Sequence, residues 1–216
     1  SGLAKLPTPQ IAQVDEQPWN VVVTGVGGTG VLTIASVLAM AAHLEGKGCA
    51  TMNQTGLAQK FGAVVSHVRI GKQQESIKAV RIAAGDADLL LGCDLIVAAD
   101  DEAIAKLNKY RSYAIVNDFA AASGELIANP DAVLPRNSMK QLIESEAIPE
   151  KTEFVAATEL ASLLLGDSFA SNMFLLGFAQ QKGLLPVSVE ALRGAIKLNG
   201  VEVQFNLDAY EWGRHA

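Results

Sequence analysis

A glycine cluster that directly follows a run of β-branched residues sets the strongest limit on how this chain can fold. Residues 21–31 are VVVTGVGGTGV, in which Gly25, Gly27 and Gly30 have the spacing G-x-G-x-x-G. In dinucleotide-binding units this spacing lets a buried strand turn tightly into a helix whose free N–H groups attract an anion. Apolar residues recur at helical spacing from Gly28 to about Leu44. The pattern therefore predicts a strand, a glycine turn and a helix.

The next segments alternate between apolar runs and helical patterns. GKGCATMNQ and GAVVSHVRIG predict two strands joined by a glycine-bearing loop, and YAIVND predicts a later strand. We interpret Leu95–Ala99 as a buried strand, followed by a helix that begins near Asp100 and Asp101. Strands that are apolar throughout indicate a parallel sheet covered on both faces.

From Ser138 onward the sequence is dominated by helical patterns. NSMKQLIESEAI predicts a helix and EFVAA a short strand, and three helical stretches follow at about 157–182, 188–197 and 201–212. The expected fold class is α/β: a Rossmann-like, mostly parallel sheet with helices on both faces and a helix-rich C-terminal third.

Composition limits the classes of partner. The chain has 17 Lys and Arg against 23 Asp and Glu, a formal charge of −6, which argues against a broad nucleic-acid or anionic-membrane surface. Apolar stretches end well before the roughly 20 residues of a membrane span, and no signal-peptide pattern is visible. The expected location is the cytoplasm.

Cysteines and histidines are too scattered to predict a metal site. Cys49 and Cys93 form no C-x-x-C motif, so we expect ordinary buried thiols rather than a disulfide framework, a zinc site or an iron–sulfur cluster. His43, His67 and His215 lack metal-ligand spacing and are expected to be structural or solvated.

Two cofactor patterns match poorly. An NAD site needs an acidic residue at the end of the second strand, where this chain has residues 52–55, Met-Asn-Gln-Thr, so an NAD-dependent dehydrogenase is an unfavoured alternative. Gly85-Asp86-Ala87 and Asn117 loosely imitate the Mg²⁺ ligands of a thiamine diphosphate site, but Asp118 stands where that motif prefers Asn. We interpret Asp86 and Asp88 instead as a solvated turn.

The N-terminal residues have the composition of a linker. Residues 1–18 contain prolines and polar residues without a sustained period, so we expect a linker or N-terminal extension there and a Rossmann-like domain over residues 19–216. The chain begins with Ser1 and its first methionine is Met40, which suggests a longer parent polypeptide.

Two long stretches together resemble one family. They are VVVTGVGGTGVLTIASVLAMAAHLEGKGCATMNQTGLAQKFGAVVSHVRIG and SNMFLLGFAQQKGLLPVSVEALRGAIKLNGVEVQFNLDAYEWG. The chain is similar to the gamma subunit, or gamma domain, of the 2-oxoacid:ferredoxin oxidoreductases, and TGLAQKFGAVVSHVRI is most similar to the indolepyruvate branch. The SHVRIG strand and the NLDAYEWG helix make this resemblance more specific than the glycine turn alone.

The resemblance implies a non-catalytic component of an enzyme that oxidatively decarboxylates 2-oxo acids to acyl-coenzyme A and passes electrons to ferredoxin. Thiamine diphosphate and the iron–sulfur clusters would be held by partner domains or subunits, so this chain would supply no catalytic residue and bind no cofactor firmly. The isolated chain would be inactive. A fused single-chain form and a homodimer are both compatible with the resemblance.

Two interpretations of the glycine turn remain open. In the first, it contacts coenzyme A together with the loop NQTGLAQKFGA, in which Lys60 is a point charge. The candidate binding residues are then Gly25, Gly27, Gly28, Thr29, Gly30, Thr55, Gly56 and Lys60. In the second, the glycines only permit a tight turn and close packing. A stand-alone nucleotide- or anion-binding module, such as a carrier or regulatory domain, is a further alternative.

Overall fold

The structure is a computed structural model that describes residues 5–55, 62–121 and 134–216. Six strands form one sheet: β1 (Trp19–Val26), β2 (Gly48–Thr55), β3 (Ala63–Gly71), β4 (Leu89–Gly92), β5 (Tyr113–Asn117) and β6 (Thr152–Val155). The helices of the described residues are α1 (Val31–Leu44), α2 (Leu95–Ala98), α3 (Asp101–Ile104), α4 (Arg136–Glu146), α5 (Ala157–Leu165), α6 (Ser171–Gln181), α7 (Val189–Asn199) and α8 (Val203–His215).

The sheet is mostly parallel, which confirms the predicted α/β class. The strand order is β2-β3-β1-β4-β5-β6. β1, β4, β5 and β6 pair in parallel, whereas β3 runs antiparallel to both of its neighbours, β1 and β2. β3 therefore lies between the two strands that α1 connects.

Alternating side chains of the central strands pack into two separate hydrophobic cores, one on each face of the sheet. Val21 and Val23 pack into the larger core, formed with α1 and with α5 to α8, whereas Val22 packs into a smaller core on the opposite face. Ile143 of α4 and Leu95 of α2 belong to that smaller core. Because both faces are covered, the β1 side chains are almost fully buried, as the continuous valine run predicts.

The prediction of a strand over Leu95–Ala99 is wrong. The strand is Leu89–Gly92, and Leu95–Ala98 forms α2, a single helical turn. The Asp94 carboxylate caps that turn by accepting a hydrogen bond from the Val97 N–H at 3.1 Å. A short apolar run does not distinguish a buried strand from a buried helical turn, so the Asp94 cap was the informative signal.

The other elements agree with the predicted patterns, with shifted boundaries. α1 begins at Val31, three residues after the predicted start at Gly28. The stretch predicted over 157–182 divides into α5 and α6, because Gly166 ends α5 in the left-handed conformation with φ 76°. YAIVND and EFVAA correspond to β5 and β6.

The interpretation of Asp86 and Asp88 as a solvated turn is wrong for Asp88, which is buried. Its carboxylate accepts hydrogen bonds from the Arg111 side chain at 2.6 and 3.0 Å and from the Asn20 N–H at 2.8 Å. Arg111 also bonds Asp86 at 2.6 Å. These contacts join the amino ends of β1 and β4, so the acidic pair is structural.

α6 and α8 cross in close contact at two glycines. A Cβ on Gly177 would overlap the Tyr210 carbonyl group, and a Cβ on Gly213 would overlap the Phe174 carbonyl group. The two helix backbones approach so closely that only hydrogen fits between them. Gly213, the glycine of NLDAYEWG, is therefore needed for the close packing of α8 on α6.

β2 forms one edge of the sheet and contains no charged residue and no proline. The Cys49 N–H points away from β3 and donates to the Gln74 side chain at 3.1 Å. Since antiparallel strands direct alternate residues outward, Thr51 and Asn53 also direct their backbone groups away from β3. Their side chains are exposed.

The described residues 5–18 contain no helix and no strand, and β1 begins at Trp19. Pro7 and Ala12 form hydrogen bonds with Gln181 and Leu185, so this segment lies along the C-terminal end of α6. The division into a linker over 1–18 and a domain over 19–216 stays a prediction. Among the described residues, no helix is both long and apolar enough to cross a membrane.

Candidate functional site

The glycine turn joins β1 to α1 as the sequence predicts, and its glycines have distinct structural reasons. A Cβ on Gly25 would overlap the Val31 side chain of α1, so this glycine permits close contact between strand and helix. Gly30 adopts the left-handed conformation with φ 91° and forms the N-cap of α1 without a side-chain hydrogen bond. Gly28 has a φ of 83° and open space around it.

Hydrogen bonds hold most of this turn in place, but the N–H groups where it leads into α1 are not used by the described residues. The Gly27 N–H donates to the Gly62 carbonyl at 2.9 Å, which ties the turn to the start of β3. The Thr29 hydroxyl donates to the Val26 carbonyl at 2.7 Å. Within the described residues, the N–H groups of Val31 and Leu32 have no acceptor. The start of α1 therefore retains two of the donors that helix N-termini offer to anions.

The structure brings together only part of the predicted site. Gly27, Gly28, Thr29 and Gly30 form one turn, and Gly25 lies directly before it near the end of β1. Thr55 ends β2, and because β3 lies between β2 and β1, Thr55 is two strand spacings, roughly 10 Å, from the line of β1. Gly56 and Lys60 lie outside the described residues.

A crevice of about 260 Å³ opens beside the turn, at the carboxyl ends of β1, β4 and β5. The chain leaves β1 toward β2 on one side, whereas β4 lies on the other side, so the crevice occupies the point where the strand order reverses. Open α/β sheets bind ligands at this position. Its lining residues are Val26, Thr29, Cys93, Asp94, Asn117, Phe119, Ala121, Thr158, Ser168, Phe169, Ser171 and Asn172.

Amide side chains hold the walls of the crevice in place. Asn117, at the end of β5, donates to the Cys93 carbonyl at 3.2 Å and to the Thr158 hydroxyl at 2.8 Å. Asn172, at the start of α6, donates to the Thr29 carbonyl at 2.7 Å. The glycine turn is thereby fastened to a helix that is 143 residues away in sequence.

The crevice has little charge. Asp94 is the only acidic residue among the described lining residues, and its carboxylate oxygens accept hydrogen bonds from the N–H groups of Val97 at 3.1 Å and Ala121 at 2.6 Å. Burial raises the pKa of Asp94 despite these bonds. No lysine or arginine of the described residues lines the crevice. A neutral ligand surface fits this lining better than a phosphate group does.

Both thiols have raised pKa values, the opposite of the lowered values that mark reactive cysteines. Burial, with a further contribution from Asp94, raises the pKa of Cys93 to about 12. Burial also raises the pKa of Cys49 to about 11. Both groups are therefore protonated near neutral pH. The prediction of buried thiols is confirmed for Cys93, whereas Cys49 is only partly buried on the edge strand β2.

His67 has a structural role in β3, as the sequence predicts for an isolated histidine. Its Nδ1 accepts a hydrogen bond from the Ile82 N–H at 3.0 Å, so its proton is on Nε2, which lies 2.8 Å from Gln54 Oε1. Burial is the main cause that lowers the pKa of His67 to about 4, and Lys106 and Arg81 lower it further.

The residues that imitate a thiamine diphosphate site do not fit that cofactor. Asp86 precedes the amino end of β4, whereas Asn117 ends β5 at its carboxyl end, and the two strands are parallel. Asp86 therefore lies at the amino ends of the parallel strands and Asn117 lies at their carboxyl ends. In the part of the chain that the structure describes, no group of three or more His, Cys, Asp or Glu residues could hold a metal ion.

Sequence reasoning missed the crevice residues that come from outside the glycine turn. Phe169, Ser171 and Asn172 belong to the region after α5, and no local motif distinguishes them. Asp94 and Asn117 had a usable signal, because Asp94 follows a buried strand and Asn117 ends one in a predicted parallel sheet.

This architecture, a mostly parallel sheet with a glycine turn and a crevice at its switch point, defines a Rossmann-like α/β protein. The chain belongs to the family described as pyruvate ferredoxin/flavodoxin oxidoreductase, whose model matches residues 20–216. This match and the relatives described below confirm the resemblance to the gamma components of 2-oxoacid:ferredoxin oxidoreductases.

The curated relatives match almost their full length. The chain is 27% identical over 199 residues to indolepyruvate oxidoreductase subunit IorB of Thermococcus kodakarensis, covering 90% of this chain and 94% of the relative. It is 29% identical to the Archaeoglobus fulgidus protein of the same name, covering 90% of this chain and 92% of the relative.

Solved structures share the fold. The gamma subunit of a keto/oxoacid ferredoxin oxidoreductase from Geobacter sulfurreducens matches with a TM-score of 0.61 at 21% identity, covering 90% of this chain and 95% of that one. A 2-oxoglutarate:ferredoxin oxidoreductase from Magnetococcus marinus, with 2-oxoglutarate, coenzyme A and succinyl-CoA bound, matches with a TM-score of 0.68 at 15% identity. The match covers 93% of this chain, which spans 31% of the length of that longer chain.

Proposed function

We propose that this chain is the non-catalytic gamma component of an indolepyruvate-type 2-oxoacid:ferredoxin oxidoreductase. The observation that carries the proposal is the near full-length match to subunits named indolepyruvate oxidoreductase, together with the family match over residues 20–216. The opposite placement of Asp86 and Asn117 supports a non-catalytic role, since these residues cannot hold thiamine diphosphate together.

In this proposal the assembled enzyme converts a 2-oxo acid and coenzyme A into an acyl-coenzyme A thioester, CO₂ and a proton. The two electrons released pass to two oxidised ferredoxins. Partner domains or subunits hold thiamine diphosphate and the iron–sulfur clusters, and the assembly works in the cytoplasm. This chain contributes binding surface rather than reacting groups.

We further propose that the glycine turn contacts an anionic part of coenzyme A. Its support is the pair of N–H groups at Val31 and Leu32, which have no acceptor in the described residues, at the N-terminus of a 14-residue helix. Lys60 is the proposed point charge for the same anion or for a carboxylate of a partner component. The coenzyme A bound to the Magnetococcus marinus relative supports this choice of ligand.

Reconstitution tests the assignment to an enzyme assembly. We expect the chain alone to leave an artificial electron acceptor oxidised in the presence of indolepyruvate and coenzyme A, because in this proposal partner components hold thiamine diphosphate and the iron–sulfur clusters. The complete assembly should reduce the acceptor, and omission of this chain should lower the rate and the yield of intact complex. Turnover by the chain alone would refute the proposed division of labour.

Lys60→Ala tests the proposed anion contact. In the complete enzyme, loss of one charge-assisted hydrogen bond of about 1–3 kcal/mol should raise the coenzyme A KM or weaken subunit association. Lys72→Ala is the matched control, since Lys72 is an exposed lysine that follows the end of β3, which pairs with the start of β1 far from the glycine turn. If both variants retain normal KM and complex integrity, Lys60 has no functional contact.

A stand-alone nucleotide- or anion-binding module is the second candidate function, which the glycine turn supports on its own. Its signature would be ligand binding by the chain with no effect of the chain on the oxidoreductase rate. A homodimer of this chain stays a prediction.

A further inference from the structure

We propose that a groove between the start of α1 and the start of α8, called the docking groove below, binds a basic and apolar segment of a partner component. The groove has a volume of about 370 Å³ and adjoins the crevice, since Thr29, Phe169 and Asn172 line both. The inference rests on the proposed function, because it names the surface and the kind of segment through which this chain joins the enzyme assembly.

Large apolar side chains are exposed at the rim of the docking groove. Phe169 is 69% exposed and Val201 is 60% exposed, and both line the groove. Its floor is also apolar, since Ile34 and Met173 are buried there and Phe205 is half-buried. Single exposed apolar residues are common on protein surfaces, but several that surround one concavity mark an interaction surface.

The exposed position of Phe169 is fixed by its neighbours. The Asp167 carboxylate accepts a hydrogen bond from the Phe169 N–H at 2.9 Å, and the next residue, Ala170, is fully buried. The backbone is therefore held on both sides of a ring that stays in solvent. An anchor that is already ordered loses little conformational entropy when a partner binds.

An unusual backbone conformation holds the opposite rim. Among the described residues, Glu202 is the only residue other than glycine with a positive φ, 38°, and it is the N-cap of α8 next to Val201. Residues with a Cβ rarely adopt this conformation, and such strain is found preferentially at binding and catalytic sites. The strain therefore supports a binding role for this rim.

The charge of the docking groove selects a basic partner. Asp167 and Glu202 line it, are exposed and form no ion pair with a described residue. No Lys, Arg or His of the described residues lines it. The N-terminus of α1 adds about half a positive charge, which two carboxylates outweigh. A lysine or arginine of the partner would pair with them, and arginine also stacks on an aromatic ring such as that of Phe169.

The glycine turn forms one side of the docking groove. Gly28, Thr29 and Gly30 line it, and a Cβ on Gly28 would meet no described atom within 4 Å. A partner segment can therefore approach the backbone of the turn closely.

A second copy of the chain does not fit this surface. A symmetric dimer through the docking groove would place Asp167 and Glu202 near the same carboxylates of the other copy. The formal charge of −6 on each chain adds to this repulsion. Because like charges across an interface are unfavourable, the occupant is a different component.

Photo-crosslinking in the complete enzyme tests which segment occupies the docking groove. We expect a benzoyl photo-crosslinker carried on the Phe169 ring to join a partner component at a segment with a lysine or arginine next to an apolar residue. The matched control carries the crosslinker on the Tyr110 ring, since Tyr110 is 82% exposed and precedes β5 at the opposite end of the parallel strands. The inference is wrong if Phe169 gives no crosslink, a crosslink to a second copy or to a segment without a basic residue, or the same crosslink as Tyr110.

Biolayer interferometry of the full chain against the co-purified remaining components tests the anchor and the charge. Phe169→Ala should raise the Kd about tenfold, because aromatic anchors dominate interface energies. Glu202→Lys should raise it about tenfold by placing like charges together, and Glu202→Gln about threefold with a weaker salt dependence. Since Phe169 and Glu202 are exposed, the melting temperatures should stay those of wild type.

The controls are Tyr110→Ala and Glu75→Lys, which change exposed residues outside the docking groove. We expect both to keep the wild-type Kd. Equal Kd values for Phe169→Ala and Tyr110→Ala would refute the anchor. Equal values for Glu202→Lys and Glu75→Lys would refute the charge selection.

The complete enzyme separates failure of this inference from failure of the proposed function. If omission of the chain lowers the yield of intact complex while Phe169→Ala and Glu202→Lys assemble normally, the proposed function stands and the inference falls. If omission changes neither the complex nor its rate, the proposed function falls and the inference falls with it.

Discussion

His67 illustrates how a single buried residue can couple stability to pH. Its Nδ1 must stay unprotonated to accept the Ile82 N–H, and the side chain is fully buried. Burial and the nearby cations therefore lower its folded-state pKa to about 4, below the value of about 6.5 expected in the unfolded chain. A neutral histidine is favoured in the folded state.

The free energy of unfolding should fall as pH decreases. Since the folded-state pKa is depressed, the contribution of His67 is complete above pH 6.5 and is lost as the pH falls toward about 4. The loss is at most about 3 kcal/mol for a shift of this size. Urea unfolding of wild type and His67→Gln between pH 7 and pH 5, the range suited to a histidine, would measure it.

The variant should be less stable at pH 7 but lose less stability on acidification. His43→Gln is the control, because His43 is exposed on α1 and should leave the pH dependence unchanged. Parallel pH profiles for wild type and His67→Gln would show that another group causes the dependence.

At the scale of elements, the contact between α6 and α8 depends on the two glycines at their crossing. Gly213→Ala would force a methyl group against the Phe174 carbonyl of the facing helix, where backbone cannot move independently. We expect a loss of about 3 kcal/mol or more in the free energy of unfolding, from overpacking that separates the helices. Urea midpoints with their m values would measure the change.

Gly194→Ala provides a matched control in α7. Its Cβ would meet only the end of the Leu44 side chain at 3.1 Å, and Leu44 is 46% exposed and can move. Because alanine favours helix over glycine by about 1 kcal/mol, this variant should be near neutral or slightly stabilised. Equal stability of Gly194→Ala and Gly213→Ala would contradict the packing argument.

The sequence predicts elements well where the local signal is strong. The valines of β1 and the glycine spacing predict the strand, the turn and α1 correctly, because burial and backbone conformation there depend on nearby residues. The antiparallel direction of β3 relative to β2 could also be predicted from the sequence. The connection of residues 56–62 between β2 and β3 has fewer residues than a parallel crossover needs, so it indicates a hairpin.

The crevice could be predicted only in part, because its walls come from distant segments. Val26 and Thr29 follow from the glycine motif, but Asn172 reaches Thr29 from 143 residues away, and no local pattern records that contact. Leu95–Ala98 was misassigned because four apolar residues fit a strand and a helical turn equally well.

At the scale of the whole molecule, residues of the motifs that carry the family resemblance serve the architecture. In SHVRIG, Ser66 donates to Asn53 at 2.7 Å, and Arg69 donates to Asn20 at 3.0 Å and to the Ala79 carbonyl at 2.9 Å. In NLDAYEWG, Gly213 permits the helix crossing. The resemblance therefore identifies a scaffold, and the chemistry specific to this chain must be sought at the turn and the crevice.

Beyond the Cys49–Gln74 contact, no hydrogen bond among the described residues covers the outer edge of β2, and this affects how the chain behaves when it is purified without other components. Uncharged edge strands with outward N–H and C=O groups pair readily with another strand, which proteins usually prevent with lysine, proline or a covering segment. Thr51 and Asn53 provide none of these protections.

We expect the concentrated chain to self-associate, and Thr51→Lys to shift it toward monomer in sedimentation velocity runs. Ser145→Lys, which adds the same charge on α4, should not. A chain that stays monomeric at every concentration would mean that the edge is already protected.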